Sequence, residues 1–140
     1  MGNRVFKTLF IVLISLTLGG VVSLVLVNHF SKDPNAAPTI EEVIANSYTT
    51  DEITTNLRSN GFIKASFQIQ TSNKSAAEEI AKRDFQVNNI IIRTLAGMEA
   101  SELSGPEGIE QLENKIRDQV NELMQNGEVV RVYTTSWVIQ

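Results

Sequence analysis

The chain has 140 residues with 42% hydrophobic and 20% charged composition and a net charge of −4. That is enough for one folded domain, and it argues against a disordered, collagen-like or nucleic-acid-coating chain. There is no cysteine and one histidine, which excludes disulfide frameworks, thiolate metal centres, cysteine nucleophiles and multi-histidine metal sites.

The N-terminal thirty residues differ from the rest. Residues 8–27 read TLFIVLISLTLGGVVSLVLV and carry no charge. As a helix they span about 30 Å, the thickness of a bilayer core. A cleaved secretory signal has a shorter apolar core and a small-residue cleavage site. Here the run ends in Leu24-Val25-Leu26-Val27-Asn28-His29-Phe30, and Pro38 follows the nearest small pair, Ala36-Ala37. The segment therefore reads as an uncleaved anchor. Arg4, Lys7 and the amino terminus precede it, while Lys32 and Asp33 cancel after it. The positive-inside rule predicts a cytoplasmic N-terminus at residues 1–7 and an exported remainder. Met1-Gly2 does not make a myristoylation signal, because Phe6 stands where Ser or Thr is required. Ser15, Gly19 and Ser23 recur every four residues and form a candidate helix-packing face. The alternative is the ordinary abundance of small residues in membrane helices.

Residues 28–39 form a linker with two prolines, and residues 40–140 form one extracytoplasmic domain. Beyond residue 7 there are 10 Lys+Arg against 16 Asp+Glu, a balance of −6 that serves solubility. Thr39-Ile40-Glu41-Glu42 predicts a capped short helix to about Asn46. Ile53, Thr55 and Leu57 alternate with polar residues, and so do Ile63, Ala65, Phe67, Ile69 and Thr71. With Ser59-Asn60-Gly61 between them, the two runs predict an antiparallel hairpin.

Ser75-Ala76-Ala77-Glu78 predicts a second capping box, opening one helix that ends at Gly97. Its face is Ile80, Val87, Ile91 and Leu95, with Asp84 as the exception, and Ile90-Ile91-Ile92 predicts wide burial. Ser104-Gly105-Pro106-Glu107 predicts a third box. It opens a helix with the stripe Ile109, Leu112, Ile116, Val120, Leu123 and Met124, closed by Asn126-Gly127. Residues 128–140 read as one long strand. Apolar residues on both of its faces predict an inner strand, or one covered on both sides, with Tyr133 and Trp137 on the same face. The fold class is α+β: a single N-terminal transmembrane helix, then a small two-layer domain with helices on one face of a sheet.

Little in the sequence carries chemistry. His29 has neither an orienting partner nor a pocket in a juxtamembrane linker. Glu41-Glu42, Asp51-Glu52 and Glu78-Glu79 are adjacent pairs that diverge on regular structure. Glu110 and Glu113 are expected on a solvated helix face. Gly105-x-x-Gly108 lacks the elements of a phosphate loop. Asn73-Lys74-Ser75 matches a glycosylation sequon, a pattern common by chance. Lys82, Arg83 and Arg93 are too sparse for nucleic acid. The residues alone predict a membrane-anchored protein-binding module with no catalysis, cofactor or metal.

Glu52-Ile53-Thr54-Thr55-Asn56-Leu57 and Gly61-Phe62-Ile63, after an anchor and a proline linker, resemble the FliL family of flagellar basal-body-associated proteins. So do Lys82-Arg83-Asp84-Phe85 with Val87 and Ile90-Ile91-Ile92, and residues 112–121. The ending Val132-Tyr133-Thr134-Thr135-Ser136-Trp137-Val138-Ile139-Gln140 is the most specific part, although Thr135 and Trp137 depart from the family's aromatic pattern. The resemblance covers the whole chain. It implies an outer domain of the stomatin/prohibitin-like (SPFH) kind and side-by-side assembly into a homo-oligomeric ring. It also implies a collar around the flagellar stator proteins that supports torque, motility and swarming, near the basal-body ring protein and in the cytoplasmic membrane. It implies no enzymatic activity. The family's stator-facing connector would fall on Pro38, Ile40, Val43, Ile44 and Tyr48. A general stomatin-like membrane scaffold is the alternative reading, and an anchored enzyme with converging glutamates is a more distant one.

Overall fold

The computed structural model describes residues 2–30 and 37–140, in two units divided near residue 37. The first unit is helix α1, Gly2–Phe30. It is longer than the apolar run, and its Gly2–Asn28 stretch is long and apolar enough to cross a bilayer. Hydrocarbon offers no partner to a hydroxyl, and this helix satisfies several of its own. Thr8 Oγ1 donates to Arg4 O at 2.8 Å, Ser15 Oγ reaches Ile11 O and Val12 O at 3.0 Å, and Thr17 Oγ1 reaches Leu13 O at 3.0 Å. Of the predicted linker at residues 28–39, residues 31–36 lie outside the described residues, and residues 28–30 continue α1.

The second unit opens with α2, Ile40–Ala45. Its predicted capping box is present: Glu42 N donates to Thr39 Oγ1 at 3.3 Å, and Thr39 N donates to the Glu42 carboxylate at 3.2 Å. The strand β1, Ser47–Thr49, follows and has no sequence signature. The predicted hairpin is β2, Ile53–Asn56, and β3, Phe62–Thr71. Asn60 at its turn has φ 63°, in the left-handed region that Asn tolerates. Helices α3, Lys74–Lys82, α4, Asp84–Ala96, and α5, Gly105–Asn121, precede the last strand, β4, Val129–Ile139.

β3 is the centre of a four-stranded antiparallel sheet. β1 pairs with residues 68–70 and β2 with residues 62–65, end to end along one edge, while β4 runs along the other. Thr50 fills the gap between β1 and β2. Its N–H donates to Phe67 O at 2.9 Å, and its Oγ1 accepts from Phe67 N at 3.0 Å. The apolar face of β3 is fully enclosed, with Ile63, Ala65, Phe67 and Ile69 all at 0% exposure. Ile80 of α3, Val87, Ile91 and Leu95 of α4, and Leu112, Ile116 and Val120 of α5 cover it. The opposite face, with Lys64, Gln68 and Gln70, is half-buried or exposed, so the domain has the two layers expected of its class.

Several expectations are corrected. β4 pairs with β3 alone and is an edge strand, not an inner one. Two bulges, one between each of the register pairs Ser66/Phe67 and Gln70/Thr71, insert Thr135 and Val130. Each extra residue reverses the alternation of faces. Val129, Val132, Trp137 and Ile139 thereby pair with core-facing residues of β3, whereas Tyr133 pairs with Gln68 and Val138 with Lys64. Tyr133 and Trp137 thus lie on opposite faces.

The helix predicted with Ser75 as its cap starts two residues earlier, at Lys74, and its N-cap is Asn73, whose Oδ1 accepts from Ala76 N at 2.9 Å. It is interrupted at Arg83, with φ −96° and ψ 16°. Ser104 is the N-cap of α5, but it makes no capping bond with its side chain; its hydroxyl donates to Ala100 O at 3.3 Å instead. That helix ends at Asn121, before the Asn126-Gly127 turn. Only Ile91 of the isoleucine triplet is enclosed: Ile90 is half-buried and Ile92 is 39% exposed.

Candidate interaction surfaces

α2 is too short to bury both its flanks. Ile40 and Ile44, four residues apart, share one side of it and are 64% and 62% exposed. Pro38 is exposed and Val43 half-buried. Tyr48 separates from this group. It packs against the core, and its hydroxyl donates to Asp84 Oδ1. The Asn88 amide donates to both oxygens of the same carboxylate, at 3.1 and 3.2 Å. Asp84, the misfit on an apolar helix stripe, is therefore the acceptor that ties the connector to α4. Burial, then the bond to Asp84 and the charges of Asp84 and Asp51, push the Tyr48 phenol above its ordinary range.

Further bonds seat the same connector. Thr71 donates to Asn46 O from both its N–H, at 2.8 Å, and its Oγ1, at 2.7 Å, and Ser47 Oγ donates to Val43 O. In α1, Ser15 has its hydroxyl bonded within the helix, and space is open beside Gly19. Ser15, Gly19 and Ser23 are all exposed.

A second surface is a groove of ≈ 840 Å³ between α5 and β4, lined by Pro106, Ile109, Glu110, Glu113, Arg117 and Arg131 among others. Glu110 is solvated as expected. Glu113 is not: its Oε1 accepts from Thr134 N at 2.8 Å and from Thr134 Oγ1 at 2.9 Å, beside the bulge. It blunts the unpaired edge of β4 at its middle, as edge strands require. Among the described residues no group of three or more His, Cys, Asp or Glu could hold a metal ion.

Sequence reasoning also passed over Glu79. The turn after α5 folds back onto its carboxylate, which accepts from Gln125 N at 3.0 Å, Asn126 N at 2.8 Å and Asn126 Nδ2 at 3.1 Å, with Arg83 Nε at 2.8 Å. Withdrawal from water raises its pKa, but these donors outweigh that and hold it below the ordinary carboxylate value. The sign follows by linkage. A lowered folded-state pKa gives stability that is present above the unfolded value and lost as pH falls through the folded one. Glu79→Gln should therefore flatten the acid limb of a stability–pH profile of the full-length protein below about pH 4.5. An unchanged acid limb would show that the loop does not depend on this charge.

These features define a class: an α+β module behind an apolar helix of membrane-spanning length, with exposed apolar and charged surfaces suited to protein contacts. Residues 47–140 match the family model "Flagellar basal body-associated protein FliL". The chain is 36% identical over 110 residues to the flagellar protein FliL of Bacillus subtilis (strain 168), covering 79% of each chain. It is 28% identical over 79 residues to the flagellar protein FliL of Aquifex aeolicus (strain VF5), covering 56% of this chain and 49% of that one. The chain belongs to the FliL family, flagellar basal-body accessory proteins, as its resemblance led one to expect.

Proposed function

We propose that the protein is a single-pass component of the cytoplasmic membrane. Its N-terminus is inside, its domain is outside, and copies of it form a collar around the stator units of the flagellar motor. The observation that carries this reading is the exposed Ile40–Ile44 pair on α2, the first described element after residues 31–36, in a member of a basal-body family. The pair offers an apolar contact to an extended segment of a stator protein, and Pro38 and Val43 extend that contact. Tyr48 serves it indirectly, by holding the connector on the body of the domain through Asp84.

The action is mechanical. Binding one stator conformation more tightly than another shifts the population toward the bound form by the difference in affinity and no more. A collar that prefers the engaged stator therefore raises torque under load without chemistry, and it supports motility and swarming.

The test is Ile40→Asp/Ile44→Asp in the full-length protein at native expression. Both positions are solvent-exposed, so the protein should accumulate normally. Swimming in viscous medium should fall markedly, and recovery of stator proteins after in-cell cross-linking should fall with it. Undiminished recovery and swimming would remove α2 from the contact. Recovery of membrane proteins unrelated to the flagellum would favour a general scaffold.

A further inference from the structure

The outer face of α4 is an anomaly in an acidic domain. Phe85 is 72% exposed, and Ile92, two turns on, is 39% exposed. Asn89, Arg93 and Ala96 are exposed beside them, and so are Ala81 and Lys82 at the end of α3. Residues 85–98 contain no acidic side chain in a chain that has 16. Three of the four flanking acids are engaged: Asp84 accepts from Tyr48, Glu79 holds Arg83, and Glu99 pairs with Arg58, while Glu78 is exposed one turn before Lys82. A shallow cleft of ≈ 370 Å³ lined by Phe85, Gln86, Asn89, Ile90 and Leu123 continues the apolar surface. An exposed aromatic ring flanked by an aliphatic side chain and two cations, on a helix, has the composition of an interfacial membrane surface.

We infer that this face of α4 docks on the anionic headgroup region of the bilayer, with Phe85 and Ile92 entering the acyl boundary and Lys82 and Arg93 meeting lipid phosphates. The inference rests on the reading that α1 spans that bilayer. Charge complementarity selects the face, because acidic groups are spread over the rest of the domain and would be repelled by anionic lipid. Chain length makes docking feasible. Residues 31–39 can span at most about 30 Å, so they form a short tether. One aromatic ring, one Ile and two cations bind lipid weakly in isolation. A tether of this length raises the local concentration enough for weak binding to suffice.

The absence of cysteine permits a direct test. Asn89→Cys and, on the exposed side of α5, Gln111→Cys each carry one nitroxide in the full-length protein, reconstituted in phosphatidylglycerol–phosphatidylcholine vesicles. At residue 89 the label should become more accessible to lipid-soluble oxygen than to a water-soluble nickel chelate, whereas at residue 111 it should remain in water. Lys82→Gln and Arg93→Gln should each lower the docked-to-undocked ratio about fivefold, and high salt should act likewise.

A water-exposed label at residue 89, in protein that floats with the vesicles, would overturn the docking and leave the anchor intact. Equal immersion in pure phosphatidylcholine would overturn the anionic headgroup contact of Lys82 and Arg93. Protection that disappears when the protein is diluted in lipid would overturn the docking and assign the face to a second copy. Failure to float with the vesicles would overturn the anchor itself.

Discussion

Phe67→Ala should destabilise the outer domain by about 3–5 kcal/mol, the largest effect expected of any single truncation in the chain. Phe67 is completely enclosed at the middle of β3, the strand that every other strand pairs with. Its backbone is held from both sides, by Thr50 on one edge and by β4 on the other, so the walls around a truncated side chain cannot close in freely. The cost therefore includes the cavity as well as the lost transfer of the ring from water. Domains of this size are stable by only about 5–15 kcal/mol, so the variant should lose a large share of its stability. Denaturation of the full-length protein in detergent, followed by Trp137 fluorescence, measures it. A loss below about 1 kcal/mol would mean that the core collapses around the site.

Gly108→Ala should also destabilise, by about 1–3 kcal/mol, although helix propensity argues the reverse. Replacing glycine by alanine inside a helix ordinarily gains roughly 0.5–1 kcal/mol. At this position an added Cβ would stand 2.4 Å from Glu102 O and 2.8 Å from Leu103 C. Both are backbone atoms of the loop that delivers Leu103 into the core, so no side-chain rotation relieves the overlap. Either α5 or the 98–104 segment must move, and with it the ion pairs from Arg58 to Glu99 and Glu102, at 3.2 and 3.3 Å. Gln111→Ala, exposed on the same helix, should stay within about 0.5 kcal/mol of the parent and serves as the comparison. Stabilisation of the Gly108 variant in the same denaturation experiment would show that the helix packs less tightly against the loop than the geometry requires.

Local rules worked where local energetics dominate. The uncharged run at residues 8–27 determined a helix of membrane-spanning length, because nothing but an internally bonded backbone suits so apolar a segment. Thr39 and Glu42 determined the start of α2, because both capping bonds lie within four residues. Strict alternation with Asn60-Gly61 between the two runs determined the hairpin, since period and turn agreed. The FliL resemblance was legible from the order of several weak motifs. The exposure of Ile40 and Ile44 and the attachment of Tyr48 to Asp84 were not legible, the latter because 36 residues separate the two.

Tertiary structure decided what depends on such distant partners. Apolar residues of both parities in β4 looked like burial on two sides. The strand instead follows the core face of β3 and takes up the mismatch in two bulges, because unsupported burial on a second side would have nothing to pack against. Asn73 outcompeted Ser75 as a cap because its amide oxygen is the one that meets Ala76 N. Glu113 looked like a solvated helix carboxylate and Glu79 like half of a diverging pair, until the chain returned at Thr134 and Asn126 with unpaired donors. An apolar triplet such as Ile90-Ile91-Ile92 records no direction. Which isoleucine is enclosed and which faces outward depends on where the sheet lies, and only the assembled domain supplies the sheet.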